Sequence, residues 1–134
     1  MKQKYIDAHI KVAEIYASLS TAKRLQVGAI VVKDNRVISI GYNGMPSGWD
    51  NNCEDINFIT RPEVLHAETN AIAKLARSNE NGLNATMFIT HAPCLDCAKL
   101  IYQSGISNVY YRNAYRESTG VEFLLKSGVE VEQI

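Results

Sequence analysis

The chain has 134 residues, is 46% hydrophobic and balances 14 basic against 14 acidic side chains, for a formal charge of zero. That length suits one domain, residues 1–134, and would leave two domains too small to bury a real core. Neutrality speaks against a nucleic-acid binder, which needs a basic stripe, and no apolar run approaches the roughly 18 residues of a membrane span.

Met1-Lys2-Gln3-Lys4 opens onto a mixed helix instead of an apolar signal segment, so a reducing cytoplasm is the expected location. Tyr5, His9, Val12, Tyr16 and Leu19 recur at helical spacing and predict an amphipathic helix over 4–19, with His9 a core histidine on its apolar stripe. Val27 to Val32 reads as a strand covered on both faces. Asp34-Asn35 makes a tight turn, and Val37 to Tyr42 returns as the hairpin partner. Gly, Asn, Pro and Ser dominate from Gly41 to Asn52, which predicts a long loop. An alanine-rich helix follows over Val64 to Arg77, then a strand from Thr86 to Thr90. Pro93 opens a helix over Cys94 to Gln103 that Gly105 ends. Val109 to Tyr111 is a strand, Glu117 to Lys126 a helix and Val129 to Val131 a last strand. The order predicts an α/β fold in three α-β-α layers, with a mixed five-stranded sheet. Helical crossovers make strands three to five parallel.

The chemistry concentrates in His66-Ala67-Glu68 and, 25 residues after Glu68, Pro93-Cys94-Leu95-Asp96-Cys97. Three cysteines are an odd number and two of them form a C-x-x-C, so metal ligation is favoured over a disulfide framework. Two cysteines three apart on a helix share one face of its first turn, where unpaired N–H groups and the helix dipole favour thiolate. His66, Cys94 and Cys97 would give one Zn²⁺ per chain three ligands and leave the fourth tetrahedral position open, the arrangement of a catalytic site. Glu68, two residues beyond His66, points elsewhere and is placed to carry protons for a water that the ion activates. Taken singly, each piece has a plainer reading: a redox pair or half a structural zinc site for C-x-x-C, a cap for His66, a solvated carboxylate for Glu68. A structural site would need a fourth ligand, and Cys53, the spare cysteine, is expected to be a loop thiol. His91 is expected to shape the site wall through its backbone.

H-x-E followed by P-C-x-x-C is the pattern of zinc-dependent nucleobase deaminases. With Gln26-Val27-Gly28-Ala29-Ile30-Val31-Val32 and the segment Gly41-Tyr42-Asn43-Gly44-Met45-Pro46-Ser47-Gly48, nearly the whole chain resembles the deoxycytidylate (dCMP) deaminases of the cytidine deaminase superfamily, especially the compact bacterial and phage members. The zinc motif alone also fits tRNA adenosine and guanine deaminases, or a non-catalytic zinc-binding interaction domain; the glycine-rich loop narrows the resemblance.

The resemblance implies conversion of dCMP to dUMP and ammonia, supplying precursor for dTMP synthesis, in the host cytoplasm if the chain is phage-encoded. It places Asn43 at the sugar, near its 3′ hydroxyl. Lys23-Arg24 and Tyr115-Arg116 match positions beside the 5′-phosphate, and Arg112 is a weaker candidate. An arginine fork suits a dianionic phosphate. Thr90, His91 and Ala92 lead into the Pro-Cys motif, and their backbone would line the base pocket. Many members are hexamers activated by dCTP and inhibited by dTTP. Gly41, Tyr42, Gly44, Met45, Pro46 and Gly48 match their regulatory loop, with Mg²⁺ accompanying the effector. An ordinary surface loop anchored by Trp49 is the alternative. Some phage members hold a second, structural zinc. Cys53 matches one ligand of it, but Ala22 stands where another cysteine would be needed, and Glu54 to Leu65 is too short for the histidine-bearing insertion.

Overall fold

A computed structural model describes residues 1–134. The elements run α1 (Gln3–Ala17), β1 (Gly28–Lys33), β2 (Arg36–Tyr42), α2 (Ala67–Ala76), β3 (Thr86–His91), α3 (Leu95–Gln103), β4 (Asn108–Asn113), α4 (Thr119–Lys126) and β5 (Glu130–Gln133). Every expected element is present, with ends moved by a few residues. No helix is long and apolar enough to cross a membrane.

Asp34 and Asn35 both take positive φ, 51° and 59°, as a two-residue hairpin turn requires. The sheet order is β2-β1-β3-β4-β5. β1 is antiparallel to both neighbours, while β3, β4 and β5 are parallel. The helical crossovers enforce that change of direction.

Alternation along the strands divides the core between the sheet's two faces. Ile30, Val32 and Phe88 meet Ile6, Ile10 and Ala13 of α1. Ala29, Val31, Met87, Ile89 and Val109 meet α2, α3 and α4 through Ala71, Leu75, Ala98, Ile101 and Leu124. One helix therefore covers one face and three cover the other. His9 closes the α1 side: its Nε2 lies 3.0 Å from Asn35 Oδ1 and its ring 5.2 Å from that of Phe88.

Gly41 lies where β2 meets α2. A Cβ there would stand 2.2 Å from the Ala67 carbonyl oxygen and 2.6 Å from the Ala71 nitrogen. The missing side chain lets the α2 backbone settle on the sheet, and with it the helix start that carries His66.

Candidate metal and active site

Both halves of the motif sit at helix N-termini facing each other. His66 is the N-cap of α2 and Cys94 the N-cap of α3, each with extended backbone, and neither side chain makes a capping hydrogen bond. Cys94 thus precedes the first turn in which the sequence reading placed it; Cys97 lies within that turn. N-caps normally spend their side chain on the helix's free N–H groups. Here both are left for other work.

His66 Nδ1 lies 3.3 Å from Cys97 Sγ and 3.7 Å from Cys94 Sγ. All three donor atoms fall within 4.8 Å of one another. Zinc bonds to sulfur and nitrogen, set at a tetrahedral angle, put those two atoms about 3.5 Å apart. The observed separations straddle that value, and two thiols with one imidazole are the donors zinc prefers, so these residues fit the ion.

Their proton affinities agree with ligation. The hydrogen bond from Cys97 and then that from His66 hold the Cys94 thiol down at about 4. Cys97 is pushed above the ordinary thiol range, first by its neighbour Cys94 and then by burial. The bond to Cys94 raises the His66 imidazole. The three groups share protons that a cation would displace.

Glu68 is buried, 4% exposed, in the first turn of α2. Burial raises its carboxyl to about 7, against the pull of its own backbone N–H and of His66. A proton carrier works best near the ambient pH. The field of a divalent cation beside it would oppose part of that rise.

An open cavity of about 640 Å³ joins these groups to the nucleotide-binding candidates. His66, Glu68 and Cys94 line it, as do Asn43, Ala92 and His91. So do Arg24, Tyr115 and Arg116, with the Arg116 guanidinium 5.6 Å from the centre of the Tyr115 ring. Asn43 is also a clamp: its Oδ1 accepts the Val27 N–H at 2.8 Å and its Nδ2 donates to the Leu25 carbonyl at 2.8 Å.

Other candidates fall elsewhere. Thr90 lies behind the wall, where its buried hydroxyl accepts the Gly28 N–H at 3.1 Å and lies 3.0 Å from His91 Nδ1. Arg112 is engaged away from the cavity by Glu14 at 3.4 Å. Gly41 and Tyr42 belong to β2, and Gly44, Met45, Pro46 and Gly48 follow it outside the cavity lining. Gly44 is bridged to Leu65, and Gly48 takes φ +86°. Trp49 is 53% exposed, with its backbone N–H bonded to the Pro46 carbonyl at 3.1 Å. Cys53 is a loop thiol, yet a buried one that lines the cavity and lies 3.4 Å from Thr21 Oγ1.

Gly120, which nothing in the sequence singles out, supports the metal ligands from behind. A Cβ on it would lie 2.1 Å from the Pro93 carbonyl oxygen and 2.8 Å from the Cys94 carbonyl carbon and oxygen. Gly120→Ala should displace the Pro93-Cys94 backbone, destabilise the fold by about 2 kcal/mol and weaken zinc retention about tenfold or more. Chelator competition and thermal unfolding read the two effects. Parental zinc retention would show that the turn yields without cost.

The comparisons agree with this geometry. Residues 2–113 match the model of the cytidine and deoxycytidylate deaminase zinc-binding region. The crystal structure of a dCMP deaminase from the cyanophage S-TIM5, in complex with dCMP and dUMP, is 47% identical with a TM-score of 0.98, covering 100% of this chain and 99% of that one. ComE operon protein 2 of Bacillus subtilis is 36% identical over 91% of this chain and 67% of its own length. The deoxycytidylate deaminase of Enterobacteria phage T4 is 30% identical, covering 91% of this chain and 86% of the phage protein.

Proposed function

The chain belongs to the cytidine and deoxycytidylate deaminase family, and from that membership we propose that it hydrolyses dCMP to dUMP and ammonia. One observation carries the reading. A zinc-fitting His66, Cys94 and Cys97 set and the buried Glu68 meet a single cavity whose lining also includes Arg24 and Arg116. A nucleotide with a dianionic phosphate suits such a cavity: the acidic proton carrier acts on the base, and the guanidiniums hold the phosphate. The cyanophage relative, so similar in fold, holds dCMP and dUMP.

Zinc held by His66, Cys94 and Cys97 would supply the Lewis acidity that makes water nucleophilic near neutral pH. Glu68 takes the proton that water gives up as it adds to C4 of cytosine. The same carboxyl passes that proton to N3, then takes a second from the new C4 hydroxyl and delivers it to the departing amine as the C4–N bond breaks and the carbonyl forms, so one group serves both directions of transfer. Ala92 and Val27 give the base an apolar wall. Asn43 has its amide already oriented by two backbone partners and stands ready for the sugar.

The finer parts of the proposal rest on the family loop. Activation by dCTP with Mg²⁺, inhibition by dTTP, a hexameric assembly, a cytoplasmic location and a role in supplying dTMP precursor all follow the resemblance of Gly41–Gly48 and of the chain at large. That loop leaves β2 beside Asn43, so an effector bound to it would have a short physical route to the sugar.

The test is a substrate panel of dCMP, dCTP, deoxycytidine, guanine and tRNA with zinc-loaded protein, the dCMP curve being repeated with dCTP-Mg and dTTP-Mg. Conversion of dCMP is expected, with curves shifted in opposite senses by the two triphosphates. Conversion of tRNA without dCMP would end the reading, and curves indifferent to both triphosphates would end the regulatory part. Arg116→Ala should raise the KM for dCMP about tenfold or more while leaving deoxycytidine nearly unaffected. Equal changes for both substrates would remove Arg116 from the phosphate.

A further inference from the structure

Arg24 stands on a stretch of chain with no regular structure to hold it. Between α1 and β1, residues 18–27 form neither helix nor strand. A guanidinium on a loose loop loses much of its binding energy to ordering. Something must therefore fix this backbone if Arg24 is to meet a phosphate in a set place.

Side chains from the long 43–65 connection and from the stretch itself do that work. Ser20 Oγ donates to the Asn43 carbonyl at 2.7 Å, and Thr21 Oγ1 to the Asn51 carbonyl at 2.8 Å. At the arginine, a single carboxylate oxygen, Glu54 Oε2, accepts the N–H of Lys23 at 3.0 Å and that of Arg24 at 3.1 Å. Thr60, bridged to Glu54 through the backbone, lies 3.4 Å from Arg24 Nη1. Arg24, Glu54 and Thr60 all line the cavity. A carboxylate is an expensive group to keep beside a phosphate, since like charges repel. Two charge-assisted bonds to successive N–H groups on the arginine's own backbone give a reason for it to be there.

We propose that Glu54 is a positioning residue for the substrate's 5′-phosphate, acting through Arg24 by fixing the Lys23-Arg24 backbone. The proposal rests on the dCMP reading above. It assigns to the carboxylate a geometric role and no role in the chemistry at the base. Gln in its place keeps a carbonyl oxygen for both N–H groups, whereas Ala keeps nothing.

The experiment measures kcat and KM for dCMP and deoxycytidine in zinc-loaded parent, Glu54→Ala, Glu54→Gln, Arg24→Ala and the Glu54→Ala/Arg24→Ala pair. Glu54→Ala should raise the KM for dCMP about tenfold with kcat within about threefold, and leave deoxycytidine within about threefold. Glu54→Gln should stay within about threefold of the parent. In the double variant the loss should equal that of Arg24→Ala alone, because a residue acting through another has nothing left to position.

A parent that does not prefer dCMP over deoxycytidine overturns the dCMP reading and this inference together. A parent that does prefer it leaves the inference to fail on its own terms. It fails if Glu54→Ala keeps the parental KM, if the two losses add in the double variant, or if Gln is as damaging as Ala. It also fails if both substrates decline together or Glu54→Ala does not fold, since the residue would then belong to the general fold.

Discussion

Glu68→Gln should fold, retain zinc and lose about 10³-fold in kcat, within the range that general acid–base catalysis supplies. The amide has the shape of the carboxyl and fits the same buried position, so the packing around it is preserved. What it lacks is a proton that can leave and return. The carboxyl is raised to about 7 by burial, while an amide does not titrate at all. Glu68 is not one of the three clustered metal donors, which is why zinc should stay. Zinc content, the far-ultraviolet spectrum and dCMP saturation kinetics together separate this outcome from unfolding. A variant as fast as the parent would remove Glu68 from the proton path. One that has lost its zinc would recast it as a ligand.

Cys94→Ala should lose zinc, activity and stability in one step. The remaining His66 and Cys97 make too small a donor set for retention. Activity should fall to that of chelator-treated parent protein. Ligand linkage contributes about 4 kcal/mol when zinc stands at about a thousand times its Kd, so the parent's thermal midpoint should drop on chelation while the variant's does not respond. Because Cys94 sits before the first turn with no capping bond, its removal should cost the bare helix little. The midpoints of variant and chelated parent should therefore nearly coincide. A variant still stabilised by added zinc would mean that another donor replaces Cys94.

The fold was legible because its patterns are local. Apolar spacing marks α1, a continuous apolar run marks β1, and Asp34-Asn35 marks the hairpin. The metal set was legible for a related reason: His66 and Cys94 each head a short strand-helix or loop-helix unit, and the topology brings those units to one place. Departures came from contacts that join distant residues. Glu54 reaches Arg24 across 30 positions, and Gly120 leans on the Pro93-Cys94 turn from another helix. Neither has a neighbour pattern that announces it; a carboxylate in a polar loop and a glycine opening a helix look ordinary. Arg112 stands outside the cavity lining for the converse reason, since its Glu14 partner lies 98 positions away and draws it to α1. Thr90 lies next to the lining residues His91 and Ala92, and its side chain is spent on the Gly28 N–H of β1.

The two uncapped helices carry a consequence for how this chain can change. A serine in place of His66 or Cys94 would satisfy free N–H groups and stabilise each helix by about 1 kcal/mol. Either change would abolish the metal donor. Selection for thermal robustness alone would therefore push the molecule towards a sturdier and inert descendant, and only continued demand for turnover keeps these helix starts as they are.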